Sequence, residues 1–129
     1  MDLKIEESFV NKYISKNKRN RIYHELSNTK KRKRAIGRFC HNAMECIDSE
    51  MIKYRGEDFQ YGIELISNSN DKECYLISWD DSVDGCLYEP LEAINKMDSI
   101  GMPSIAIFSN FCIIKTEQIM GAAEIFILE

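Results

Sequence analysis

The stretch CYLISWDDSVDGCLYEPLEAINKMDSIGMPSIAIF, residues 74–108, decides how the second half of this chain is read. It opens on a continuous apolar run, Cys74 to Trp79, of the length and density of a strand buried on both faces. DDSVDG, Asp80 to Gly85, follows as an acidic loop. The block from Glu89 to Gly101 places Pro90 at a first helical position, Glu92 in the first turn and Gly101 just past the end, which predicts a helix. SIAIF, Ser104 to Phe108, reads as a core strand. Strand, helix, strand in this order implies a right-handed crossover between parallel strands.

The neighbouring segments extend the pattern. Downstream, Ser109 and Asn110 form a tight turn into the strand FCIIK, Phe111 to Lys115, and AEIFIL, Ala123 to Leu128, closes the chain as a last strand. Upstream, MIKY, Met51 to Tyr54, is a short strand, followed by the loop RGED, Arg55 to Asp58. FQYGIELI, Phe59 to Ile66, fits either period: Phe59, Tyr61, Ile63 and Leu65 alternate, while Phe59, Ile63 and Ile66 share a helical face. Helix is the reading adopted, because Asp58 can cap it and SNSND, Ser67 to Asp71, can end it.

Before Met51 the periodicity is helical. Phe9, Val10, Tyr13 and Ile14 define one face of a first helix, with Glu6 and Glu7 in its first turn, and a short second helix spans Ile22 to Leu26. A third follows SNT, Ser27 to Thr29. At about 100° per residue, Ala35, Ile36, Phe39, Cys40, Ala43, Cys46 and Ile47 share its inner arc, and Lys30, Arg34, Arg38, His41 and Glu45 its outer one. Arg32 falls inside the apolar arc, so it must snorkel, lie beyond the core's edge or meet an acid. The predicted architecture is α/β, with α+β as the alternative. It is one domain over 1–129, in which a cap of about three helices precedes a mixed sheet with βαβαβ order and a C-terminal antiparallel pair.

Charge is unevenly divided. Residues 1–56 hold 14 Lys/Arg against 7 Asp/Glu, a net +7, and residues 57–129 hold 3 against 14, a net −11, giving −4 for the chain. Such asymmetry marks contact between the halves, or two surfaces for two kinds of partner. Cations in a first helical turn oppose the helix dipole, so Lys30 to Arg34 call for anions from the acidic half or from a phosphate. Five cysteines without a CxxC pair, no leader and no apolar run of about 20 residues predict a cytoplasmic protein with free thiols and no membrane contact. Cys40, His41 and Cys46 lack zinc-ligand spacing.

For parallel strands, ligands gather outside the carboxyl ends, which selects the loops Arg55 to Asp58, Trp79 to Gly85, and Ser109 to Asn110. Asp80, Ser82, Asp84 and Gly85 match the start of a calcium loop, but its twelfth position is Leu91 and Glu92 comes one residue late. An ordinary acidic turn is therefore preferred, and no cofactor is expected unless calcium or magnesium binds there. Lys115 and Glu117, two apart, should point the same way if the penultimate strand runs that far, where a cross-strand ion pair is expected. With no GxSxG, GxGxxG or P-loop, an enzyme is the less favoured class.

Three functions follow in order. The first is a small protein-binding module, an immunity-type protein that neutralises a basic toxin or nuclease domain through Glu57, Asp58, Trp79, Asp80, Asp81, Asp84 and Glu89. The second is nucleic-acid or phosphate-ligand binding through Lys30, Lys31, Lys33, Arg34 and Arg38. The third is a metal-dependent enzyme or ligand sensor at the strand ends, with Asp80, Ser82 and Asp84 as ligands.

Overall fold

The computed structural model describes residues 1–117 and 122–129, and of His41 the backbone alone. Four helices come first: α1 (Leu3–Tyr13), α2 (Arg19–Ser27), α3 (Arg32–His41) and the single turn α4 (Ala43–Cys46). Asp2 starts α1 by accepting the N–H groups of Lys4 and Ile5 at 3.1 and 3.2 Å, a cap that contributes about 1 kcal/mol. The expected third helix breaks at Asn42 into α3 and α4, yet Ala35, Ile36, Phe39, Ala43, Cys46 and Ile47 are all buried as its wheel requires.

The remaining elements are β1 (Ile52–Gly56), α5 (Gln60–Ser67), β2 (Cys74–Ser78), β3 (Cys86–Tyr88), α6 (Pro90–Ser99), β4 (Ser104–Ile107), β5 (Cys112–Lys115) and β6 (Ile125–Leu128). The ambiguous segment is the helix α5, with the Asp58 carboxylate accepting from the N–H of Gln60 at 3.0 Å. α6 starts at Pro90, and Glu89 accepts from the N–H of Glu92 at 3.0 Å.

The strands form one sheet in the order β1-β6-β5-β4-β2-β3, and every hydrogen-bonded pair is antiparallel. The fold is α+β, and the expected parallel core is corrected. The cause is β3, a stretch to which the sequence pattern assigned no element. Gly85, at φ +76°, turns the chain back so that Cys86–Tyr88 form a hairpin with β2. That reversal makes β4 run against β2. The two crossover helices do join strands of like direction, β1 to β2 and β3 to β4, but other strands lie between the members of each pair.

The sheet is covered on both faces. Tyr75, Ile77, Ile105, Cys112, Ile114, Phe126 and Leu128 pack against the four-helix cap. Leu76, Ala106, Ile113, Ile125 and Ile127 pack with Ala93, Ile94 and Met97 of α6 and with Leu65 and Ile66 of α5. Double coverage turns the usual apolar/polar alternation of an antiparallel strand into a continuous apolar run, the signal that had pointed to parallel strands.

Candidate partner-binding surface

Antiparallel order redistributes the three loops. The β1–α5 loop and the 79–85 loop lie at one end of the sheet, about four strand spacings or roughly 19 Å apart. The 109–110 turn, between β4 and β5, lies at the opposite end. No common site therefore joins the three.

The 79–85 loop is engaged with the cap. Asp84 accepts from Arg32 Nε at 2.6 Å and Nη2 at 2.9 Å, and its Oδ1 also accepts from the N–H of Ser78 at 3.1 Å. The other edge of the guanidinium meets Glu6, at 2.5 Å from Nη1 and 2.7 Å from Nη2. Arg32 thus takes the third course open to it: it meets two acids. The Tyr75 hydroxyl donates to Glu6 and accepts from the N–H of Asp2 at 2.9 Å. Burial, then the hydrogen bond to Glu6, raises the Tyr75 pKa above the ordinary phenol value. Hydrogen bonds to Asp84 and Glu6 outweigh burial at Arg32 and raise its pKa above the ordinary guanidinium value. Glu6 was read as a dipole acid, but it stands three residues before Phe9 and seven before Tyr13, inside the apolar stripe, and is fully buried. Its wheel position was the signal for a partner.

The rest of that loop is also answered from within. Lys33 lies 3.4 Å from Asp81 and 5.3 Å from the centroid of Trp79, whose half-buried ring packs beside Gly37 of α3. Asp80 accepts from the N–H and hydroxyl of Ser82 at 2.9 and 2.7 Å, and these bonds hold its pKa below the usual carboxylate value. Among the described residues no group of three or more His, Cys, Asp or Glu is placed to hold a metal. Asp84, offered by the sequence as a partner contact, is half-buried and ties the loop to the cap through Arg32.

The basic helix divides likewise. Arg38 forms a two-pronged pair with Glu25, both bonds 2.8 Å, and the Arg38 hydrogen bonds hold the Glu25 pKa below its ordinary value. With Lys33 on Asp81, the members of the sequence-derived set outside an ion pair among the described residues are Lys30, Lys31 and Arg34. The buried Lys115 ammonium donates to the carbonyls of Met97, Asp98 and Ile100 at 2.7, 3.3 and 2.5 Å, closing the end of α6.

What stays open is the outer layer made by α5, α6 and the residues leading into each. Glu57, Asp58, Glu64, Glu89, Glu92 and Asp98 are exposed there, with Lys96 as the cation of these segments. Lys96 itself lies 5.7 Å from the Tyr88 ring. None of the six acids is in an ion pair among the described residues. Glu57, Asp58 and Glu89 came from the sequence as partner contacts; Glu64, Glu92 and Asp98 did not, although their outward positions on amphipathic helices were the available signal. Among the described residues no helix is long and apolar enough to cross a membrane. Comparison with protein-family models, with curated proteins and with solved structures gives no match.

Proposed function

We propose that this chain is a protein-binding module of the immunity type, whose acidic outer layer masks a basic toxin or nuclease domain in the cytoplasm. The observation that carries the reading is the set of six exposed acids on the α5–α6 layer that lack ion-pair partners among the described residues. Unanswered charge of one sign on one face steers a partner of opposite sign and selects against like-charged ones. The free state of all five cysteines fits a reducing compartment.

Titration against isolated basic nuclease domains, at low ionic strength and again at about 200 mM salt, tests it. Binding that weakens with salt and is lost in the Glu64→Lys, Glu92→Lys, Asp98→Lys triple variant is the expected result. Absence of binding at low ionic strength overturns the reading.

A further inference from the structure

The two edges of the sheet are built differently. β1 carries an irregularity between Ile52 and Tyr54 and exposes Lys53 and Arg55, devices that discourage a further strand from pairing. β3 has neither. Its three residues are uncharged, and Leu87 at its centre is 53 % exposed. Leu87 pairs with Tyr75 and so points to the cap side, but α1 stops short of covering it.

Beside Leu87 lies a groove of about 450 Å3 between α1 and the strands β2 and β4. Ile5, Tyr75, Ile107 and Phe108 give it apolar walls, with Lys4 on the helix side and Glu73 on the strand side. Three acids, Asp71, Glu73 and Glu89, act on Cys74 at its strand side. Cys74 pairs with Tyr88 at the last rung of the β2–β3 ladder, and Glu73 and Glu89 flank that rung in sequence. Burial first, then the charges of Asp71, Glu89 and Glu73, push the Cys74 thiol up to about 12. A second copy of the chain brings these same acids against themselves, which costs free energy, whereas a basic segment complements them.

We propose that the β3 edge and this groove receive an extended segment of the basic partner, which adds a strand along Cys86–Tyr88, sets a large apolar side chain against Leu87, Ile107 and Phe108, and carries flanking Lys or Arg to Glu73 and Glu89. Main-chain hydrogen bonds supply affinity in this mode, and the pocket supplies selectivity. The inference rests on the basic-partner reading above and specifies the form in which that partner docks.

The probe is a capped heptapeptide, Lys-Leu-Lys-Phe-Lys-Leu-Lys, compared with heptalysine at low ionic strength by amide chemical shifts and by calorimetry. The mixed peptide is expected to shift the amides of Cys86, Leu87 and Tyr88, and Leu87→Asp, a surface change that leaves the core intact, is expected to weaken it at least about tenfold. Shifts confined to α5 and α6, or equal binding by the variant, overturn the edge site and leave the acidic-layer reading standing. If neither peptide binds, both fall. A concentration-dependent dimer that Leu87→Asp dissolves assigns the edge to a second copy and also overturns the proposal.

Discussion

Replacing Arg32 by Ala should be the most damaging single change on the cap. It removes both bonds to Glu6, both to Asp84 and the 3.1 Å bond to the Leu26 carbonyl. The two acids do not suffer equally. The Asp84 side chain is 15 % accessible and can rehydrate, whereas that of Glu6 is 0 % accessible and is left a charge answered by the Tyr75 hydroxyl alone. Breaking a buried pair from one side costs about 3–5 kcal/mol, and Glu6 carries most of it. Against a domain stability of about 5–15 kcal/mol the loss is large, equivalent to a fall in Tm of roughly 15 °C. Urea unfolding followed by circular dichroism and by Trp79 fluorescence measures it, the indole reporting on α3 through its contact with Gly37. Arg32→Met combined with Glu6→Gln and Asp84→Asn should recover much of the loss, because no charge then remains unpaired. A loss below about 1 kcal/mol for Arg32→Ala would refute the reasoning, since it would mean the acids gain water as readily as they lose the guanidinium.

Other outcomes follow from the same geometry. The Glu25 pKa is lowered by Arg38, so that pair stabilises fully above about pH 5 and its contribution drains away as pH falls through the lowered folded value. Glu25→Gln should therefore flatten the dependence of the urea midpoint on pH in the acid range. Lys115→Met leaves three carbonyls at the end of α6 without their donor, a cost of about 1–3 kcal/mol at neutral pH. Burial lowers the Lys115 pKa, so the unfolded chain holds that proton more tightly; wild-type stability should rise with pH from the lowered value toward about 10.4, and the variant should lack that rise. If duplex DNA binds the cap through Lys30, Lys31 and Arg34, the log-log salt slope should be no steeper than about −3; a slope near −5 would mean that Lys33 and Arg38 abandon Asp81 and Glu25.

Helical periodicity exposed most of the cap, because one buried stripe against one face leaves a clear 3.6-residue pattern. It also singled out Arg32, an ion inside an apolar arc, and the acids it meets are where that oddity resolves. Strand direction was less accessible. β3 is three residues long, too short for a period, and its omission reversed the inferred sense of β4 against β2. The acidic loop was located but its engagement was not, because whether Asp84 faces solvent or Arg32 depends on a contact between positions 52 apart in the chain. Exposed acids on α5 and α6 were hidden for the opposite reason: an outward Glu on a helix is ordinary, and its meaning emerges when neighbouring elements leave it without a cation.

Zero-length carbodiimide coupling of the protein to a basic nuclease or toxin domain, followed by peptide mapping, tests the acidic layer most directly, since it joins lysines only to carboxylates in contact. Amide links from partner lysines to Glu57, Asp58, Glu64, Glu92 or Asp98 are predicted. Links concentrated on Glu7 or Glu45 of the helical cap, or none at low ionic strength, would contradict the account.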